Sequence, residues 1–97
     1  MTTAREITAH LRLLFPQVRL STAADTGPGS EGLFRVKLPT ASASHIGGSH
    51  GLETFLGRRL ATTTAPEPVK VISRREVRRR DCGRDVEFFI RVGREGR

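Results

Sequence analysis

Residues 69–92 read VKVISRREVRRRDCGRDVEFFIRV, and they contain the clearest structural signal in the chain. In the second half of this segment, every other residue is apolar, which is typical of a strand with one buried face. The apolar positions are Val86, Phe88, Ile90 and Val92. Together with the preceding run from Val69 to Arg80, this strand predicts a β-hairpin.

Two connections between these strands are compatible with the sequence. A tight turn at Cys82-Gly83 would place Arg80 opposite Asp85 and Arg78 opposite Glu87. Opposite charges that face each other across two strands stabilise a sheet, so they favour this register. Cys-Gly is a poorer turn pair than Asn-Gly, and a four-residue connection over 81–84 is the alternative.

The N-terminal segment predicts a helix from about Ala4 to Phe15. Thr3 and Glu6 have the spacing of a capping box, in which each side chain accepts a hydrogen bond from the other residue's backbone N–H. Apolar residues then recur at helical spacing on one face, and Pro16 ends the helix. These apolar residues are Ile7, Leu11 and Leu14, with Phe15 beside them.

The middle of the chain predicts a second hairpin and a second helix. Residues 17–21 and 33–38 alternate as strands do, and the segment 23–32 between them has the composition of a loop. Residues 39–49 are rich in Ser and Gly and predict another loop. A helix capped by Ser49 and running to about Ala61 follows, with Leu52 and Phe55 on its apolar face. Two prolines then mark a linker at 62–68.

These elements predict one small basic α+β domain over residues 1–97. Its order is α-β-β-α-β-β, a two-layer sandwich with two helices on one face of a mainly antiparallel sheet. The apolar residues of the last strand should pack against the helices. The helix residues expected in this contact are Leu11, Leu14, Leu52 and Phe55.

The net charge of +7 is concentrated near the C-terminus, since residues 69–97 contain ten Lys and Arg against five Asp and Glu. An arginine-rich strand face can neutralise several phosphates, so this hairpin predicts contact with nucleic acid. We expect Arg74, Arg78 and Arg80 to share the face opposite Val69, Val71 and Val77, with Arg75 and Arg79 on the apolar face. The predicted contact residues are Arg74, Arg75, Arg78, Arg79, Arg80 and Arg84.

Phe89 is the one aromatic residue expected on the outer face of the sheet. It alternates outward between Phe88 and Ile90. A base could stack on it, but cover by a loop or by a second copy of the chain is the favoured interpretation. Phe89 is therefore predicted to be an interface residue, and a homodimer is plausible.

No catalytic, metal or cofactor motif is found in the sequence. The loop 25–32 lacks the Gly-Lys-Ser/Thr ending of a phosphate-binding loop, and His45, His50 and Cys82 lack zinc-ligand spacing. The absence of an apolar run of about 20 residues argues against a membrane span. A single cysteine excludes an intrachain disulfide, and a cytoplasmic location is expected.

The sequence thus predicts a protein that is not an enzyme and binds nucleic acid or a ribonucleoprotein through its C-terminal hairpin. The alternative is a small structural, adaptor or inhibitor protein, such as a phage-type assembly component. In that case the hairpin would contact an acidic protein surface or a second copy of the chain.

Overall fold

The computed structural model describes residues 3–29, 31–60 and 68–93. These residues form three helices and four strands. The helices are α1 (Ala4–Leu14), α2 (Thr40–Ile46) and α3 (Gly48–Arg59), and the strands are β1 (Ser21–Ala24), β2 (Leu33–Pro39), β3 (Val69–Arg78) and β4 (Arg84–Val92). The predicted linker at 62–68 and tail at 93–97 lie outside the described residues, apart from Pro68 and Gly93.

All neighbouring strands run antiparallel, in the order β1-β2-β4-β3. The predicted α+β class, the antiparallel sheet and both hairpins are therefore confirmed. The two hairpins join through β2 and β4, where Val36 pairs with Phe88 and Phe34 with Ile90. This pairing places the two most apolar strands side by side in the middle of the sheet.

One face of β2 and β4 forms the sheet side of the core. Every second residue on these strands is buried there, as the alternation of β4 predicted. The helices contribute Ile7 and Leu11 from α1 and Leu52 and Leu56 from α3. The expectation for Leu14 is wrong, because Leu14 is 38% exposed. Phe15, whose backbone leaves the helix at φ −128° and ψ 65°, is buried instead.

The capping box predicted at the start of α1 is confirmed. The Thr3 hydroxyl accepts from the Glu6 N–H at 3.2 Å, and the Glu6 carboxylate accepts from the Thr3 N–H at 3.3 Å. Both halves of the capping box are thus present and satisfy two backbone donors that helix geometry leaves free.

The prediction of two helices is wrong, because residues 40–46 of the expected loop form α2. Ser42 and Ala43 are buried, so their small side chains let α2 approach the sheet closely. Gly47 then turns the chain into α3 with a left-handed φ of 97°. A Cβ atom at Gly51 would collide with the carbonyl oxygen of Ile46, so the glycine allows α2 and α3 to meet at this corner.

The first strand also lies later than the sequence indicated. β1 comprises Ser21–Ala24, whereas the alternation had indicated 17–21. Val18 and Leu20 are partly buried and pack against the core, so their apolar spacing reflects packing outside the ladder. β1 pairs with β2 from Ser21 opposite Lys37 to Ala24 opposite Phe34.

Candidate nucleic-acid interface

Residues 79–83 connect β3 to β4, and the three-residue loop Arg80–Cys82 lies between Arg79 and Gly83. The Arg79 N–H donates to the Gly83 carbonyl at 2.7 Å, which closes the loop. The Asp81 carboxylate accepts from the Gly83 N–H at 3.0 Å, and Cys82 has a left-handed φ of 70°. Both sequence-based connections are therefore wrong. A three-residue hairpin loop needs one left-handed residue, and here that residue is Cys82 rather than a glycine.

The predicted hairpin register is wrong as well. Arg78 was expected opposite Glu87, but it lies opposite Arg84, and Glu87 lies opposite Arg75. The ladder also shifts between Val71 and Ser73, which leaves Ile72 in a β-bulge. A bulge inserts one extra residue, so every side chain beyond it changes face.

Because of this change of face, the predicted placement of Arg74, Arg75 and Arg78 is wrong. Arg74 pairs with Phe88, so it shares the core-bearing face of the sheet, as does Arg78 farther along β3. Arg75 lies on the opposite, outer face. Arg74 and Arg78 are nevertheless exposed, because β3 is the edge strand and the helices leave its distal half uncovered.

Two of the six predicted contact residues are neutralised by carboxylates. The Arg75 Nε donates to Glu87 at 2.7 Å across the outer face. The Arg79 Nε lies 3.4 Å from both Asp81 and Asp85. The buried Asp85 Oδ1 makes no hydrogen bond despite this proximity. The Arg79–Asp85 contact is therefore electrostatic, since 3.4 Å is long for a charge-assisted N–H···O bond.

The other four arginines are exposed, and none makes an ion pair within the described residues. They are Arg74, Arg78, Arg80 and Arg84. We call this set the unpaired arginines. Arg78 and Arg84 face each other directly across the ladder and line a recess of about 200 Å³ with Glu76 and Val77. Like charges placed opposite each other repel, and the two guanidinium groups outnumber the single carboxylate of Glu76, so this recess favours an anion.

A second basic surface lies on the outer face of the sheet. Phe89 is partly exposed there, between Arg35 on β2 and Ser73 on β3. Lys70 and Arg91 lie directly opposite each other on the same face. Sequence reasoning selected Phe89 but missed Lys70 and Arg91, because their proximity depends on the register.

The residues with metal-ligand chemistry do not converge in the part of the chain that the structure describes. No group of three His, Cys, Asp or Glu residues there could hold a metal ion. Cys82 is exposed in the hairpin loop. The His45 ring packs edge-on against the core residue Phe15, with 5.9 Å between the ring centroids.

The chain matches no known family model, and no curated protein or solved structure is detectably similar to it. Among the helices described, none is both long enough and apolar enough to cross a membrane. The functional interpretation therefore depends on the geometry of the hairpin and the sheet.

Proposed function

We propose that this protein is a non-enzymatic module that binds nucleic acid, alone or within a ribonucleoprotein. The observation that carries the proposal is the set of unpaired arginines at the distal end of β3 and β4. Arg75 and Arg79 have carboxylate partners, whereas Arg74, Arg78, Arg80 and Arg84 have none among the described residues. Guanidinium groups without a protein counterion are free to bind phosphate oxygens.

The direct test is a salt-titrated binding assay with single-stranded RNA, single-stranded DNA and duplex DNA. Phosphate contacts release counterions, so affinity should fall steeply as salt rises. Replacing Arg78 or Arg84 by Ala should weaken binding and reduce the logarithmic salt slope on duplex DNA by about 0.9 for each lost contact.

Arg58→Ala is the matched control, because it removes the same charge from an exposed position on α3. It should change the affinity less than Arg78→Ala does. Equal losses in the two variants would indicate a diffuse charge effect without a site. No binding of any nucleic acid at about 50 mM salt, where non-specific attraction is strong, would refute the proposed function.

A second candidate, contact with an acidic protein, is favoured by the position of β3. This strand ends the sheet, and its outer edge is exposed from Ile72 to Glu76. Near the start of β3, a helix side chain covers the edge, because Glu53 on α3 accepts from the Val71 N–H at 2.7 Å. Exposed strand edges pair readily with extended segments of other chains.

The triple variant in which Arg74, Arg78 and Arg80 are replaced by Ala separates the two candidates. A nucleic-acid module should lose its affinity for nucleic acid and keep its oligomeric state. A protein-docking module should lose a partner or change its oligomeric state, while nucleic-acid binding stays negligible in both forms. Size-exclusion chromatography with light scattering, combined with the binding assay, measures both properties.

A further inference from the structure

The outer face of the sheet is an extended surface without a helix on it in the described part of the chain. The buried apolar residues of α1, α2 and α3 belong to the core on the other face. The outer face is formed by alternate residues of the strands, which share one side of the pleat. We call it the open sheet face, and it includes Arg35, Lys37, Lys70, Ser73, Arg75, Glu87, Phe89 and Arg91.

Phe89 lies near the middle of the open sheet face. Arg35 and Ser73 are its direct neighbours on the adjacent strands, and Glu87 and Arg91 are two residues away along β4. Its ring is only partly exposed. A partly exposed aromatic ring held among polar side chains on a rigid sheet can present one face to a flat ligand.

The charges around Phe89 are unevenly compensated. The Arg35 Nε lies 3.3 Å from the Asp25 Oδ1, and Arg75 is paired with Glu87. Lys70 and Arg91, by contrast, face each other across the ladder, and neither makes an ion pair within the described residues. Two cations held opposite each other beside an aromatic ring favour a ligand that carries both an anion and a flat apolar group.

We infer that the open sheet face binds a single-stranded polynucleotide, with one base stacked on Phe89 and a phosphate between Lys70 and Arg91. Residues two apart on a strand are separated by about 6.6 Å, so the ring and the cation pair can contact neighbouring parts of one nucleotide strand. A duplex hides the faces of its bases, so only unpaired strands can use the ring. This inference rests on the proposed function and specifies the class of nucleic acid that the protein prefers.

Fluorescence provides the first test, because the chain contains no Trp and no Tyr. In the variant Phe89→Trp, the indole is the dominant emitter and stands at the expected stacking position. Titration with oligo-dT or oligo-U should quench its emission, and titration with duplex DNA should quench it much less. The control is Leu13→Trp, where Leu13 is 62% exposed on α1, a helix that packs against the core on the other face of the sheet. Its emission should change little with either ligand.

Affinity measurements provide the second test, with circular dichroism to check that the variants fold. Phe89→Leu should weaken single-strand binding by at least about fivefold, since base stacking on an aromatic side chain contributes about 1–3 kcal/mol. It should leave duplex binding unchanged. Lys70→Gln changes an exposed residue and should reduce the logarithmic salt slope on a single strand by about 0.7.

The outcomes separate this inference from the proposed function. If single strands and duplexes bind equally and Phe89→Leu has no effect, the open sheet face is not the site, although the unpaired arginines can still be. If Phe89→Leu converts a dimer into a monomer without changing single-strand affinity, a second copy of the chain occupies the face and the inference is overturned. If the protein binds no nucleic acid, both proposals are wrong.

Discussion

Replacing Arg78 by Thr should make the fold more stable while it weakens nucleic-acid binding. Arg78 and Arg84 are direct cross-strand partners, and neither has a carboxylate partner in the described structure. Two unit charges about 6 Å apart in water repel by about 0.7 kcal/mol. Like-charged cross-strand pairs cost about 0.2–1 kcal/mol, so we expect a gain of about 0.5 kcal/mol. In a domain of this size, that gain raises the melting temperature by about 2–4 °C.

Arg75→Thr is the control, because it removes the same charge from the same strand. Arg75 is paired with Glu87 at 2.7 Å, and its side chain is 74% exposed. Because exposed pairs contribute at most about 1 kcal/mol, this variant should be equally or slightly less stable than the wild type. Arg78→Thr should therefore be more stable than the wild type and Arg75→Thr should not, although both variants lose one positive charge and gain the same side chain.

Thermal unfolding followed by circular dichroism, at about 50 mM and about 1 M salt, measures both effects. Salt at about 1 M reduces the screening length to about 3 Å, so the gain of Arg78→Thr should disappear there. A gain that persists in high salt would indicate strand propensity rather than charge repulsion. A loss of stability in Arg78→Thr, with unchanged binding, would refute the interpretation of Arg78 and Arg84 as a phosphate site.

Three further predictions concern the fold, and urea unfolding measures each of them. Cys82→Gly should raise the free energy of unfolding by about 1 kcal/mol, because glycine adopts the left-handed φ of 70° without strain; a decrease would contradict this account of the loop. Gly51→Ala should lower the free energy of unfolding by about 1–3 kcal/mol, because its Cβ atom would collide with Ile46. Gly48→Ala should lower it by only about 1 kcal/mol, because φ is 69° there but the space around the Cβ position is open. Phe88→Ala should cost about 3–5 kcal/mol because the ring is fully buried, and a cost below 1 kcal/mol would contradict its place in the core.

Short-range patterns predicted the elements whose geometry depends on neighbouring residues. The capping box of Thr3 and Glu6 was readable because both of its hydrogen bonds join residues three apart. The alternation from Val86 to Val92 was readable because one side of β4 is buried along its length. From the sequence, the candidate site could be predicted only as an arginine-rich hairpin. The run of arginines did not indicate which guanidinium groups pair with carboxylates.

α2 could not be predicted from local signals, because its seven residues are too few to form a stable helix alone. It forms because Ser42 and Ala43 are buried in the folded chain and because Gly51 allows α3 to lie close to it. Small residues that are typical of loops therefore serve here as contact points. Whether such a residue lies in a loop or in a packed helix depends on its tertiary contacts, and local sequence does not predict those contacts.

By itself, the sequence determined the class of the fold, the antiparallel hairpins, the start of α1 and the basic character of the C-terminal hairpin. Only the tertiary structure decided which arginines are neutralised and which face each one occupies. The physical reason is that strand faces alternate with every residue. The single-residue bulge at Ile72 therefore exchanges the two faces of β3 from Ser73 to Arg78, and the loop at Arg80–Cys82 is compatible with that register. That exchange places Arg75 beside Glu87 and leaves Arg78 facing Arg84.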